Sequence, residues 1–187
     1  MIITIAGKAG SGKSTVAKGI AKKLGLKHYS MGDLQRKYAK GKGLTIEELG
    51  ALEAKDDKID KEVDAYQTKL SEQEDDFIID GWISFHFIPK AIKIFLDCEE
   101  DVGAKRIFSD TTKGKRDESE RKTESFEHAK EVLVERMKVN RERWVRYYGE
   151  KADFMDMNNY DFVVDTSNID AANAINQIIN FINKSKN

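Results

Sequence analysis

The sequence predicts an α/β protein of three layers, in which a five-stranded parallel sheet lies between two layers of helices. Short apolar runs such as IITIA and DFIID are rich in β-branched residues and stop at a glycine or an acid, as buried strands do. The segments between them show the period of amphipathic helices. Because strands and helices alternate, each helical crossover is expected to return the chain parallel to the previous strand.

The predicted strands are short and bounded by glycine or charged residues. The second run, LKHYS, has a weaker strand pattern than the other four. The five runs are Ile2–Ala6, Leu26–Ser30, Asp76–Asp80, Ala91–Asp97 and Tyr160–Asp165.

Helical periodicity follows each strand. The first helix begins at Lys13, buries a face that includes Val16 and Ile20, and ends at Gly25. Thr45 and Glu48 have the spacing of a capping box. The other helices are expected over Gly32–Lys40, Thr45–Ala54, Asp56–Ser71, from Asp97 to about Phe108, over Phe126–Tyr148 and after Asp170, with a polar connection up to about Thr123.

Composition excludes several classes of function. With 32 basic and 33 acidic residues, the net charge of −1 gives no overall field for nucleic acid or anionic lipid. The one cysteine, Cys98, excludes an internal disulfide, and the three histidines are too scattered to indicate a metal site. No apolar run is long enough for a membrane span, and the start lacks the features of a signal peptide. We therefore expect one domain over residues 1–187, cytoplasmic and monomeric, with no membrane or nucleic-acid partner.

The strongest motif is a phosphate-binding loop (P-loop). Residues Gly7–Ser14 read GKAGSGKS and match G-x-x-x-x-G-K-[S/T], with a predicted strand before them and a predicted helix after them. Its glycines let successive N–H groups point at a phosphate chain, and the helix N-terminus adds partial positive charge. Lys13 is expected to reach the β- and γ-phosphates, and Ser14 to bind Mg²⁺. The residues assigned to the ATP phosphates are Gly7, Lys8, Ala9, Gly10, Ser11, Gly12, Lys13, Ser14 and Thr15.

The phosphate loop alone does not identify the function, because the same loop occurs in switch proteins, motor proteins and kinases. The N-K-x-D signature of guanine recognition is absent, which weakens a GTPase hypothesis. Neither candidate second acid, Asp80 or Asp97, belongs to the D-E pair common in motor ATPases, and the chain is short for a motor.

A second site is predicted after the second strand. The segment SMGDLQR places Ser30, Gly32 and Asp33 at the end of this strand, and Arg36 one helical turn further. Ligands of open α/β sheets bind beyond the carboxyl ends of the strands, so this site should face the phosphate loop. The guanidinium fork of arginine suits a phosphate or carboxylate. The alternative is an ordinary helix start with a solvated arginine.

Together with the loop, this segment resembles the nucleoside monophosphate kinases, which carry S-x-G-D-x-x-R after the second strand and D-G or E-G after the third. Here that pair is Asp80-Gly81. The resemblance extends to archaeal-type cytidylate kinases through LTIEELGALEAKDDKIDKEVDAYQ and NRERWVRYYGEKADFMDMNNYDFVVDTSN, so it covers nearly the whole chain in matching order. It implies a P-loop NTPase fold with a monophosphate-binding helical insertion over about 31–75 and a lid over about 109–124.

The resemblance also implies roles for acceptor-site residues. Asp80 would hold Mg²⁺, the expected cofactor, through water, or would cap a turn. Asp33 and Arg36 would anchor the monophosphate together with Ser30, Gly32, Gly81 and Trp82. Asp60 and Gln67 match positions of the insertion and would contact ribose or base, or would be solvated polar residues.

Phosphoryl transfer requires neutralisation of charge on the moving group, so arginines are expected around it. By resemblance, Arg106, Arg136 and Arg143 join Lys13 as catalytic residues, and Arg116 lies in the mobile lid. The alternative for each arginine is a solvated surface charge. No strong side-chain base is required, since the attacking oxygen already belongs to a phosphate.

Three departures from the family touch the acceptor site. Trp82 follows the D-G pair where relatives have arginine, Ala65-Tyr66 replaces two arginines in the insertion, and Asp110 replaces a basic lid residue. These losses weaken an expectation of CMP specificity. Trp82 and Phe85 either stack on a base or pack beneath the insertion. Stacking would make Trp82→Ala raise the acceptor KM more than the ATP KM.

The leading hypothesis is an ATP-dependent nucleoside monophosphate kinase with CMP or dCMP as the acceptor. The alternative is a P-loop ATPase of adenylate-kinase-like fold in ribosome or RNA maturation, for which the basic runs 113–122 and 136–146 allow RNA contact. A kinase of a small non-nucleotide metabolite is disfavoured by the length of the insertion and by the S-x-G-D-x-x-R match.

Overall fold

Five parallel strands form the sheet in the computed structural model, which describes residues 1–53, 55–113 and 125–185. The strands are β1 (Ile2–Gly7), β2 (Lys27–Ser30), β3 (Phe77–Asp80), β4 (Ile92–Asp97) and β5 (Phe162–Asp165). Their order across the sheet is β2-β3-β1-β4-β5. The predicted three-layer α/β fold is confirmed, and each predicted strand is present within two residues of its expected start.

The strand register brings the carboxyl ends of the central strands to one edge of the sheet. Ile5 of β1 pairs with Asp80 of β3 on one side and with Ile94 of β4 on the other. The last residue of β1, Gly7, is paired with Leu96. The loops after β1 and β3 therefore leave the sheet side by side, and the side chains they carry face a common space.

The helices agree with the predicted pattern apart from their ends. The predicted helix after Asp97 continues one turn beyond Phe108, and the four-residue helix after β3 was not predicted because it is too short to show a helical period. The helices are α1 (Lys13–Leu24), α2 (Met31–Gly41), α3 (Ile46–Glu53), α4 (Asp57–Gln73), α5 (Ser84–Phe87), α6 (Glu100–Thr112), α7 (Phe126–Tyr148) and α8 (Ala171–Lys184), with 3₁₀ turns at Glu150–Ala152 and Met157–Asn159.

Each face of the sheet is covered by its own hydrophobic cluster. Ile3 and Ile5 point to the face that α1 and α8 cover, where they join Ile20 and Ile178. Ile2 points to the opposite face and joins a cluster that reaches into α4. Alternation of side chains along β1 therefore accounts for both helical layers.

Local capping signals explain where several helices begin. The Thr45 N–H donates to Glu48 Oε2 at 2.8 Å, and the Glu48 N–H donates to Thr45 Oγ1 at 3.1 Å, which confirms the predicted capping box. The Asn173 N–H donates to Asp170 Oδ1 at 2.8 Å at the start of α8. Gly25 ends α1 with a φ of 68°.

The segment predicted as a lid is described only in part. Residues 109–112 belong to α6. Residues 114–124, which include Arg116 and most of the basic run 113–122, lie outside the described residues. Among the described residues, no helix combines the length and hydropathy that a membrane crossing requires.

Candidate active site

The loop between β1 and α1 has the backbone geometry of an anion site. Gly10 has a φ of 78°, and a Cβ there would lie 2.3 Å from the Gly103 carbonyl oxygen, so only glycine fits. Gly12 caps α1 with a φ of 90°, and no side chain in the described part of the chain accepts a hydrogen bond at this cap. The first N–H groups of α1 are thus directed at the loop, with the positive end of the helix dipole behind them.

Lys13 is tied back onto the loop that it follows. Its ammonium donates to the carbonyl oxygens of Gly7 and Lys8, each at 2.9 Å. The same ammonium lies 5.6 Å from the ring centroid of Trp82. This arrangement holds a positive charge at the mouth of the loop, where it can meet the phosphates of a nucleotide.

Asp80 lies at the end of β3, opposite the start of α1, and three side chains hold it. Ser14 Oγ donates to Asp80 Oδ2 at 2.8 Å, and Ser30 Oγ donates to the same oxygen at 3.2 Å. His28 Nε2 lies 2.6 Å from Asp80 Oδ1. Asp80 itself is buried. The contact with His28 was not predicted, because nothing in the sequence spacing links a residue of β2 to one of β3.

The pair Ser14–Asp80 fits a magnesium ion that arrives with a nucleotide. A hydroxyl and a carboxylate, completed by phosphate oxygens and water, form the oxygen-only ligand set that Mg²⁺ prefers. Asp80 presents its carboxylate to the Ser14 hydroxyl across 2.8 Å, so both ligands face the same point beside the loop. Among the described residues, no group of three or more histidine, cysteine, aspartate or glutamate side chains could hold a metal ion.

The predicted acceptor residues after β2 line the opposite wall of the same cleft. The Asp33 N–H donates to Ser30 Oγ at 3.4 Å, which caps α2. Arg36 Nη2 donates to Asp33 Oδ1 at 2.6 Å, so the guanidinium lies over the first turn of α2. Gly32 has no side chain beneath it, and a Cβ there would lie 3.3 Å from Arg36 Nη2. The start of α2 therefore presents a cation to the cleft.

Trp82 lies between the two walls. Its indole N–H donates to the Gly7 carbonyl oxygen at 2.9 Å, and its ring stacks on Phe154 with centroids 5.6 Å apart. The Arg136 guanidinium lies 5.3 Å from the same ring. Phe85 is 4% exposed and packs on Tyr160, so it is a packing residue rather than one that stacks on a base.

Arg106 contacts the backbone beside the phosphate loop. It donates to the Gly10 carbonyl oxygen at 3.3 Å and to the Thr166 carbonyl oxygen at 2.6 Å. The buried Thr166 hydroxyl lies 3.1 Å from the Ser11 carbonyl oxygen and 2.9 Å from that of Asp97. Thr166 thus joins β5 to the loop. Sequence reasoning did not assign it a role, although a hydroxyl at the carboxyl end of a strand was the available signal.

Arg143 is enclosed by carboxylates of the helical insertion. Its Nη1 lies 3.1 Å from Glu53 Oε2, and its Nε lies 3.0 Å from Asp60 Oδ2. The side-chain exposures are 3%, 4% and 2%, so the ion pairs are removed from water. In this arrangement Arg143 joins α7 to α3 and α4, and its predicted contact with a phosphoryl group stays a prediction.

A second carboxylate of α4 lies beside this cluster. Asp64 Oδ1 accepts from Gln67 Nε2 at 2.9 Å, and Asp64 Oδ2 accepts from the Tyr148 hydroxyl at 2.8 Å. Burial is the main cause that raises the pKa of Asp64 to about 7 and the pKa of Glu53 to about 7. The charge of Asp60 raises both pKa values further.

One of the three departures from the family, Ala65-Tyr66, lies away from the cleft. Ala65 and Tyr66 are exposed on the outer face of α4, while Asp64 and Gln67 of the same helix are buried. The expectation that these two losses bear on the acceptor is therefore not supported, because neither position lines the cleft. Asp110 of α6 does line it.

These walls enclose one open cleft of about 1660 Å³. It runs from the phosphate loop and the start of α1, past α2 and α6, to the carboxylates of α3 and α4. The cleft brings together Lys13, Ser14, Ser30, Gly32, Asp33, Arg36, Asp60, Gln67, Asp80, Gly81, Trp82, Arg106, Arg136 and Arg143 from the predicted set.

Comparison with known proteins agrees with this geometry. A family model described as "AAA domain" matches residues 6–124. Proteins named cytidylate kinase are similar to this chain over most of their length. The one from Natronomonas pharaonis is 36% identical over 90% of this chain and 82% of its own length. The one from Methanothermobacter thermautotrophicus is 32% identical over 91% of this chain and 98% of its own length. That of Sulfolobus acidocaldarius is 37% identical over 89% of this chain and 86% of its own.

Solved structures share the fold at lower identity. An uncharacterized protein from Eubacterium ventriosum has a TM-score of 0.68 at 20% identity, over 98% of both chains. Shikimate kinase from Aquifex aeolicus has a TM-score of 0.63 at 18% identity, over 100% of this chain and 98% of its own.

A phosphate loop that shares one cleft with a helical insertion, at the carboxyl edge of a parallel sheet, defines a P-loop kinase. The curated relatives do not favour the alternative of an ATPase in ribosome or RNA maturation. The chain belongs to the nucleoside monophosphate kinases, phosphotransferases, and within them to the archaeal-type cytidylate kinase family.

Proposed function

We propose that the protein transfers the terminal phosphoryl group of Mg·ATP to CMP or dCMP, forming ADP and the corresponding diphosphate. The observation that carries the proposal is the single cleft, which has the phosphate loop on one wall and the insertion formed by α2–α4 on the other. Similarity to cytidylate kinases over about nine tenths of the chain supports the choice of base. We expect the protein to act as a monomer, which light scattering can test.

The proposed division of labour follows the two walls. Residues 7–15 hold the ATP phosphates, and Ser30, Gly32, Arg36 and Gly81 hold the acceptor phosphate beside them. Mg²⁺, held by Ser14 and Asp80, would supply additional neutralisation of phosphate charge. The acceptor oxygen is already ionised, so the chain's task is to align it with the γ-phosphorus and to neutralise the moving group.

Two cations of the cleft suit that neutralisation. Lys13 lies at the loop, and both its ammonium and the Arg136 guanidinium lie beside Trp82, at 5.6 and 5.3 Å from the ring centroid. Arg106 donates to carbonyl oxygens at the loop, so it supports the loop's shape as well as its charge. We retain Arg143 as a catalytic candidate; to reach a phosphoryl group it would have to leave Glu53 and Asp60.

The direct test is a substrate panel. The purified protein is incubated with Mg·ATP and, separately, with CMP, dCMP, UMP, AMP and GMP, while ADP and the new diphosphate are separated by chromatography. Stoichiometric ADP and CDP or dCDP are expected, with Lys13→Ala as the control for contaminating activity. ADP without a diphosphate, or no turnover with any acceptor, would contradict the proposal.

A further inference from the structure

Two buried side chains at the insertion end of the cleft carry hydrogen-bond acceptors that have no partner. They are Glu53 Oε1 and Gln67 Oε1, and neither atom accepts a hydrogen bond from any of the residues that the structure describes. Glu53 is 3% exposed and Gln67 is 1% exposed, and both line the cleft. A buried acceptor without a donor destabilises the protein, so this pair calls for a donor that the described part of the chain does not supply.

The other atoms of both side chains are already held. Glu53 Oε2 is paired with Arg143 at 3.1 Å, and Gln67 Nε2 donates to Asp64 Oδ1 at 2.9 Å. Because the Gln67 Nε2 donates to Asp64, the amide is oriented and its Oε1 is the atom left to accept a hydrogen bond. Neither oxygen is exposed to water, and both side chains line the cleft, so a ligand at this end of the cleft would lie beside them.

Charge decides which part of a nucleotide can lie here. Among the described residues, the three carboxyl groups of Glu53, Asp60 and Asp64 lie around the Arg143 guanidinium, and the charge of Arg136 also acts on Glu53. Cations therefore do not outnumber carboxylates at this end of the cleft, which disfavours a phosphate there. Cations line the other end, at Lys13 and the start of α2. An acceptor nucleotide is therefore oriented with its phosphate towards the loop and its base towards α3 and α4.

We propose that Glu53, together with Gln67, determines the base of the acceptor by accepting hydrogen bonds from its exocyclic amine, and so selects cytosine over uracil. This inference rests on the proposed kinase function. The 4-amino group of cytosine offers two N–H donors to two acceptor oxygens. Uracil has a carbonyl oxygen at that position. At pH 8, above the Glu53 pKa of about 7, the carboxylate carries no proton, so uracil would place three acceptors together without a hydrogen between them.

The first test uses the wild-type protein and changes only the substrate. Initial rates are measured with CMP, with UMP, and with the 2-pyrimidinone ribonucleoside monophosphate, which is cytidine monophosphate without its amine. We expect kcat/KM to fall by about ten- to a hundredfold for both analogues, since an unpaired buried polar group is left in each complex. Equal kcat/KM for CMP and the analogue without the amine would overturn the proposal.

The second test changes the acceptor residue. In Glu53→Gln the amide keeps an oxygen for Arg143 and can turn an N–H towards the base, so the ratio of kcat/KM for CMP to that for UMP should fall by about tenfold or more. The matched control is Asp153→Asn, which neutralises the carboxylate partner of Arg141 on the same helix, does not line the cleft and should leave this ratio unchanged. An unchanged ratio in Glu53→Gln, or the same change in both variants, would refute a role in base selection.

These outcomes separate the inference from the function on which it depends. If the wild-type protein phosphorylates no monophosphate, the proposed function fails. If it phosphorylates CMP and UMP equally well, the kinase stands and the inference fails. Should Glu53→Gln not fold, as judged by its thermal melt, the analogue without the amine still decides the question with the wild-type protein.

Discussion

Replacing Arg143 with methionine tests how strongly the insertion is tied to the rest of the protein. Methionine keeps much of the volume of the side chain and removes its charge. Glu53 and Asp60, both at most 4% exposed, would then be buried without the cation that lies 3.1 and 3.0 Å away. Removing one partner of a buried ion pair is strongly destabilising because the remaining charge stays out of water.

The expected loss of unfolding free energy at pH 8 is about 3–5 kcal/mol. For a domain of this size 1 kcal/mol corresponds to about 2–4 °C, so the melting temperature should fall by roughly 6–20 °C. Urea unfolding followed by circular dichroism gives the free energy, and a thermal melt gives the temperature. Arg146→Met is the control, since this exposed residue of the same helix should cost less than about 1 kcal/mol.

The loss should become smaller in acid. Burial raises the pKa of Glu53 from 4.5 to about 7, and the nearby Arg143 cation opposes that rise. Without the cation the pKa rises further, so at pH 6 the carboxyl is neutral and the burial cost is relieved. In the wild type the raised pKa makes this group's contribution to stability fall as pH rises from about 4.5 to about 7.

A loss below about 1 kcal/mol at pH 8, or one that does not shrink at pH 6, would refute this reasoning about Arg143. The first result would mean that water or another cation compensates both carboxylates. The second would mean that the loss comes from packing rather than from charge.

Three further changes test the rest of the site. Lys13→Ala should lower kcat about 10²–10³-fold while the melting temperature is nearly unchanged, which initial rates and a melt will check. Gly10→Ala should impair ATP binding, measured by calorimetry, and lower the free energy of unfolding by about 1–3 kcal/mol or more. The φ of 78° is strained for alanine, and the new Cβ would clash with Gly103. Gly41→Ala is the control and should be tolerated, because a Cβ there meets nothing within 4 Å. Trp82→Ala should raise the acceptor KM more than the ATP KM; equal rises would make Trp82 a packing residue.

The elements that could be predicted from the sequence are those whose causes are local. Strand β1 and helix α1 follow from a change of apolar period at Lys13, and the capping box at Thr45 is complete within four residues. The phosphate loop could be predicted because its residues are also contiguous in the sequence. Its function depends on backbone N–H groups and one lysine, all within a single turn between a strand and a helix.

What sequence reasoning missed depends on contacts between distant segments. The partners of Arg143 come from α3 and α4, which two strands, β3 and β4, and two helices, α5 and α6, separate from α7 along the chain. The spacing of Arg136 and Arg143 indicates a shared helix, but it does not indicate which side chains face them. The contact of His28 with Asp80 likewise exists only because β2 pairs with β3.

The departures at Ala65 and Tyr66 show why a motif comparison needs the fold beside it. On α4, Asp60, Asp64 and Gln67 recur at helical spacing on the buried face, so a residue just after Asp64 must point elsewhere. The chain can therefore lose two arginines of the family motif without altering the lining of the cleft. Under the proposed base selection, discrimination of the base depends on Gln67 of this helix and on Glu53 of the neighbouring helix α3.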